Sequence, residues 1–398
     1  MNGMSDVKIK ISFLATVCCL AFLPNVSAQN FDEVLSVVES SNKTLLALKA
    51  SVEAEVKDAF SSVGLDNPEI ETGYLWGRPS ENGGRFDFSV MQPFDFPTVY
   101  YWKRKVAGGQ ASLARMEYEV KRREVLLEAQ TVCIDIVYHN ARSRQLQRRL
   151  DNAKAVEAVW ASKDSLGNSS ALDLDRARLC LLDARRDYDE NEVEREALVE
   201  QLHHLSGHVE TPRVDAADFL FEPLPADFDE WISEIKSPEV ECFSIAYETA
   251  SAEVRLRRNE CLPSFKAGYM SEHTPGVTLS GVGVGISIPL WKGWGRIKAS
   301  GAARAAAELS AEEALAHFHC EMEVTYSKAL RLQSLMEDYR KSISGLDPVE
   351  RLGKLLSSGE ISLESYLTRL EAWYDSLDRI LESEREFGML LAQLHQFD

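Results

Sequence analysis

The chain has 398 residues, 63 acidic against 44 basic side chains, and a formal net charge of −19. That sign disfavours nucleic-acid binding, which needs a basic surface. The one long apolar run, Ile11 to Leu23, has 13 residues and is short of the roughly 20 a spanning helix needs, so any membrane-inserted part of the remaining chain has to be a closed β-barrel.

Residues 1–28 read as a cleaved signal peptide. Lys8 and Lys10 precede the apolar run, and Val26-Ser27-Ala28 is a small-residue cleavage site. Bulky Val17 before Cys18 argues against a lipid-modified cysteine there. Cleavage removes Lys8, Lys10 and Asp6, a net +1, and leaves −20. Such an excess fits a soluble acidic surface, or a lumen that favours cations. Five cysteines remain, Cys133, Cys180, Cys242, Cys261 and Cys320. An odd number without a CxxC pair argues against a disulfide framework, and most are expected as buried small hydrophobes.

A first helix is expected from about Phe31 to Ser62, broken near Asn42, then strands at about 68–77 and 85–95. A long helix follows over 99–164. Its apolar or small residues Leu126, Ala129, Cys133, Ile136, Asn140, Ser143, Leu146, Leu150, Ala153, Val156 and Trp160 recur at steps of three and four, the mark of a coiled-coil-like seam. The turn Ser165 to Ser170 precedes a return helix over 172–206, which stops at Gly207. Acidic, proline-bearing residues 207–229 read as a linker. The plan then recurs: a helix over 228–260 interrupted near Pro238, strands at 263–272 and 279–291, a long helix over 296–357, and a last helix over 362–397. Only Glu384 interrupts the apolar seam of that last helix.

The two halves, repeat 1 over 29–206 and repeat 2 over 230–398, contain the same passage twice. Pro68 and Gly73-Tyr74 correspond to Pro263 and Gly268-Tyr269, and Pro93-Phe94 to Pro289-Leu290. A repeat constrains a fold strongly, because each copy solves the same packing problem. At ~1.5 Å per residue the helix over 99–164 makes about 100 Å, and the first and return helices stacked end to end make about the same. One long helix against two half-length ones gives a wall of even height.

Each strand has two unlike faces. Tyr74, Phe86, Phe88, Val90, Tyr269, Val282, Val284 and Ile286 lie on apolar faces, the expected lipid side; Glu71, Asp87, Ser89 and Gly281, Gly283 and Gly285 lie on polar or glycine faces. A soluble sheet with one buried face has the same alternation. Gly281 to Gly285 alternate inside a strand, so they are not a phosphate loop, which needs a strand-to-helix turn. Tyr100, Tyr101, Trp102, Trp291 and Trp294 follow the second strand of each copy and fit an interfacial aromatic belt, or packing between strand and helix. Four strands cannot close a barrel, since the smallest have about eight; three chains supply twelve.

The stretch Ile288-Pro289-Leu290-Trp291-Lys292-Gly293-Trp294-Gly295-Arg296 resembles the strand-to-helix passage of the TolC family of outer-membrane efflux channels, including the CusC and CzcC type of heavy-metal exporters. Gln92-Pro93-Phe94-Asp95-Phe96 is similar to its first-copy counterpart, and Gly167 to Asp173 and Gly359-Glu360-Ile361-Ser362 resemble the family's hairpin tips. The resemblance covers residues 31–398. It implies a mainly helical homotrimer with a 12-strand β-barrel in the outer membrane of a Gram-negative bacterium and a 12-helix α-barrel in the periplasm. It implies a gated conduit without cofactor or catalysis, partnered by a periplasmic adaptor and an inner-membrane pump of the RND or ABC type. Pro93, Pro289, Gly293 and Gly295 would mark the passages. Gly167, Ser170, Asp173, Gly359, Glu360 and Ser362 would meet the adaptor. Asp173 matches an acidic family position. Its counterpart is Ser365, with Glu364 one position early, a departure that weakens a carboxylate gate of Asp173 and Glu364.

A periplasmic coiled-coil scaffold explains the helical seams but not the matched strand pairs. The clusters His317, His319, Cys320 and His203, His204, His208 each lack a full metal-ligand set by spacing. No nucleophile elbow, HExxH or Walker pattern is present.

Overall fold

The structure, a computed structural model, describes residues 31–76, 83–166, 171–289, 293–346 and 348–397. The expected signal peptide, the turn residues Gly167 to Ser170, and Leu290, Trp291 and Lys292 lie outside them. The described chain forms α1 (Phe31–Ser41), α2 (Lys43–Ser61), β1 (Glu69–Trp76), β2 (Gly84–Phe94), α3 (Pro97–Ser165), α4 (Ala171–Leu205), α5 (Phe228–Glu234), α6 (Pro238–Asn259), β3 (Ser264–Thr274), β4 (Val277–Ser287), α7 (Trp294–Ile343), α8 (Pro348–Ser357) and α9 (Leu363–His395).

The breaks have local causes. Asn42 separates α1 from α2 because its side chain caps α2, accepting from the Leu45 N–H at 3.0 Å. Ser237 and Pro238 start α6 in the same way. Two expectations are corrected. Residues 296–357 are not one helix: α7 ends at Ile343, Gly345 takes φ +82°, and Pro348 opens α8. A left-handed residue ends a helix, and a proline cannot continue one. The fourth strand stops at Ser287 rather than near 291. Pro289 has no N–H to extend a ladder.

The described chain divides into two compact units. One comprises the residues up to Ser41, Glu128–Leu224 and Arg331–Ala392; the other comprises Asn42–Leu127, Pro225–Leu330 and the residues from Gln393. In the first unit, Ala129, Cys133, Ile136, Leu146, Leu150, Ala153, Val156 and Trp160 of α3 are buried, the seam read from their spacing. Val156 and Trp160 share a core with Leu363, Tyr366 and Leu370 of α9, and Phe387 and Leu391 of α9 are also buried. Glu384, the interruption in that seam, is buried and forms an ion pair with Arg340. Arg149 of α3 grips Asp378 of α9 with both Nη atoms and lies over the Tyr374 ring at 4.6 Å.

The expected linker packs closely. Asn140 Nδ2 donates to the carbonyls of Val214 and Ala216, both at 2.9 Å. Phe219 stacks on Phe221, which meets Phe387 edge-on at 4.8 Å. In the second unit, Val99 and Val106 of α3 and Ala252 and Leu256 of α6 form a core flanked by Phe96 and Trp102. No helix among the described residues is long and apolar enough to cross a membrane.

Candidate functional site: a two-faced sheet and two helix turns

The strands form one antiparallel sheet in the order β1-β2-β3-β4. The central pairing, β2 with β3, joins segments from opposite halves of the sequence. Register decides what each face carries, because a slip of one residue exchanges the faces. Ile70, Val90, Tyr269 and Val282 form one cross-strand row; Tyr74, Phe86, His273 and Thr278 another; Phe94, Phe265 and Ile286 a third. Phe88 and Val284 lie on this same apolar face. The opposite face has the rows Glu71, Ser89, Met270, Gly281 and Gly73, Asp87, Glu272, Leu279. The alternations of four separate strands thus add up to one apolar and one polar surface.

The apolar surface is uncovered. Val282 and Val284 are 85% and 84% exposed, and Ile70, Tyr74, Trp76, Phe86, Tyr269 and Ile286 are exposed as well. Burying each such side chain would gain roughly 1.5–3 kcal/mol. A contiguous uncovered patch of this kind marks an interaction or membrane surface. Among the described residues the first and last strands of the sheet, β1 and β4, each have one edge without a partner strand, and open edges demand pairing.

The polar surface is knit by charge. Arg85 Nε lies 2.8 Å from Asp87 and its Nη1 3.1 Å from Glu272. Lys266 reaches over β2 to Glu69. Four carboxylates, Glu69, Glu71, Asp87 and Glu272, face two cations. Gly268 is required for close approach, since a Cβ there would collide with the Val90 carbonyl.

The strand-to-helix passages are built differently in the two halves. Pro93 lies in β2 beyond the end of β1, so its missing N–H interrupts no β1–β2 bond. Asp95 then accepts from Lys103 Nζ at 2.8 Å, and its N–H donates to the Tyr100 hydroxyl. Pro289 follows β4, and the Gly293 carbonyl accepts from the Ile297 N–H as α7 begins. A Cβ on Gly293 would collide with Cys261 Sγ, whereas Gly295 has open space. The aromatic residues divide: Tyr101 and Trp294 are exposed, Trp102 packs in the second unit's core, and Tyr100 is tied to Asp95.

At the other turns, Asp173 is half-buried in the first turn of α4. Gly359 takes φ +77°, and the Glu360 N–H donates to the Leu355 carbonyl at 3.0 Å, a glycine-dependent helix stop. Ser362 restarts the chain: its Oγ accepts from the Ser365 N–H. Glu364 pairs with Arg176 of α4 at 3.1 Å. Beneath lie Val156, Trp160, Leu174, Ala177, Leu352, Leu363, Tyr366 and Leu370, one core drawn from α3, α4, α8 and α9. Sequence reading missed the Arg176–Glu364 and Arg149–Asp378 pairs, because nothing local signals a contact between distant helices.

The cysteines differ from expectation. Only Cys133 among the five is fully buried, and Cys320 is exposed; all are free thiols. Burial pushes the Cys133 thiol up to about 12 and the Tyr374 hydroxyl up to about 12. His317 and Cys320 stay exposed on α7, with His317 Nδ1 3.8 Å from Glu321.

No protein-family model and no curated protein sequence matches this chain. Solved structures do. The structure of CusC, described in connection with folding and transmembrane channel formation, superposes with a TM-score of 0.80 at 14% identity, over 93% of this chain and 92% of that one. The Campylobacter jejuni CmeC outer-membrane channel gives 0.72 at 14%, over 92% and 85%. The Vibrio cholerae outer-membrane protein VceC gives 0.74 at 12%, over 92% and 96%. The chain has their fold. The likeness extends over both the sheet and the long helices.

Proposed function

We propose that this chain is the outer-membrane channel component of a tripartite efflux or type I secretion system, a passive gated conduit rather than an enzyme. The observation that carries the proposal is the sheet: four strands, two open edges, and an apolar face left in solvent. A trimer would supply 4 × 3 = 12 strands and close the edges into a barrel. Lipid of the outer membrane of a Gram-negative bacterium would then cover the apolar face, and Glu71, Asp87 and Glu272 would line a lumen favouring cations. The fold shared with CusC, CmeC and VceC supports this reading.

Two further features fit a homotrimer. Leu179, Leu182 and Val193 of α4 and Leu309, Leu315 and Leu330 of α7 are exposed apolar side chains, suited to a helical wall shared between copies. The division into repeats over 29–206 and 230–398, joined by 207–229, belongs to the same reading. So does the assignment of Gly167, Ser170, Asp173, Gly359, Glu360 and Ser362 to contact with a periplasmic adaptor, itself linked to an inner-membrane pump of the RND or ABC type. Glu364 is a poor half of a carboxylate gate while Arg176 neutralises it; Asp173 is the stronger half.

The test is current across a planar lipid bilayer from chain purified in detergent, with cross-linking of the same sample. Discrete cation-favouring steps and a cross-linked trimer are expected. A sample that neither inserts nor trimerises would sink the proposal and favour a periplasmic scaffold.

A further inference from the structure

The histidines at the end of α4 are brought together by the helix stop. The His208 N–H donates to the His203 carbonyl at 2.9 Å and the Gly207 N–H to the His204 carbonyl at 3.0 Å. This cap folds the chain back, so that His208 stands over the last helical turn. His208 takes φ +66°, the sole left-handed residue other than glycine among the described residues, a conformation that a side chain with a Cβ adopts at a cost. The cap is firmly held. Ser206 is fully buried, its Oγ bonds to the carbonyls of His203 and Val209, and its own carbonyl accepts from Ser41 Oγ at 2.7 Å.

The result is a pair of imidazoles with His208 Nδ1 and His203 Nδ1 only 3.4 Å apart. Two nitrogens bound to one tetrahedral ion at about 2.0–2.1 Å are separated by about 3.3–3.4 Å. The two donors are therefore spaced as two ligands of one ion before any ion arrives. Glu200 Oε1 lies 3.9 Å from His203 Nδ1 and adds negative potential beside the pair. His204 meets the His208 ring edge-on, 5.8 Å between centroids. No group of three donors among the described residues is placed as a complete ligand set, so water would complete the coordination.

We infer that His203 and His208 form a two-imidazole chelate for a borderline divalent cation, of which Zn²⁺, Cu²⁺ and Ni²⁺ are the members that favour imidazole. The site uses no residue of the sheet, and the inference is independent of the channel reading. The cation docks reversibly, since two protein ligands and an exposed setting leave open positions for exchange.

The experiment is titration of the full chain in detergent, stripped with chelator, with ZnCl₂ alone by calorimetry. Electron paramagnetic resonance of the Cu²⁺-loaded chain runs beside it. The expected outcome is one Zn²⁺ per chain, lost in both His203→Gln and His208→Asn, with the Cu²⁺ spectrum falling from two coupled nitrogens to one in each variant. Asn is chosen at 208 because it tolerates the left-handed conformation; His203→Gln leaves the cap intact and serves alone if the other variant unfolds. His317→Gln should change nothing. No uptake by the unaltered chain overturns the inference. So does uptake that survives in both variants, or that His204→Gln abolishes equally.

Discussion

Along α3 a fully buried thiol and a half-buried guanidinium are held in opposite ways, and Cys133 and Arg149 illustrate them. Cys133 is fully buried, and that burial pushes its thiol up to about 12. At pH 8 only about one such thiol in ten thousand is ionised, so maleimide should label Cys320 and leave Cys133 untouched until the chain unfolds. The sign for stability follows. Cys133 and Tyr374 both bind their protons more tightly folded than unfolded, so their contribution is intact below the ordinary thiol value of 9.0 and is lost as pH rises toward about 12. Thermal unfolding followed across that alkaline window should show falling stability, and a flat profile would count against the burial. Arg149 is the opposite case: its side chain is 13% exposed and its partner Asp378 26%. Arg149→Met keeps a flexible apolar stem against Tyr374 but strands a half-buried carboxylate, and should cost about 1–3 kcal/mol. Replacing Asp378 with Leu in the same chain should recover much of it. Urea unfolding of the single and double variants measures both.

Among the elements, the seams and alternations were legible because each is a local pattern with a period. Asn42 was legible as a break because asparagine caps a helix through its own side chain. The register of β2 on β3 was not legible: Val90 and Tyr269 are paired although 179 positions apart in the chain (269 − 90). The α7–α8 break is different, since Gly345 and Pro348 are local stop signals standing inside the helix expected over 296–357. The two glycines nearby separate the causes. Gly345→Ala puts a Cβ on a left-handed residue and should destabilise by about 1–2 kcal/mol. Gly353, inside α8, has open space where a Cβ would stand, and should stabilise by about 0.5–1 kcal/mol when changed to Ala. Thermal melts followed by helical circular dichroism should show opposite signs. Equal signs would mean that the break is not held by the glycine.

At the scale of the molecule, everything turns on what covers the apolar face of the sheet, and one position distinguishes lipid from water. Val284 is 84% exposed. In water, a charged substitution at so exposed a site changes stability by no more than about 0.5 kcal/mol, and it breaks up an apolar patch. In lipid the same change costs about 2–4 kcal/mol near the midplane of the bilayer. Val284→Arg should therefore deplete the assembled form from the outer-membrane fraction. Leu279→Lys, on the opposite face of the same strand, should leave assembly in place and shift ion selectivity instead, because it adds a cation beside Asp87 and Glu272. The readout is heat-resistant trimer in membrane fractions, followed by single-channel current. If Val284→Arg assembles as well as the unaltered chain, the apolar face meets water or protein rather than lipid, and the barrel has no membrane to span. If Leu279→Lys alone fails, the faces have been assigned the wrong way round.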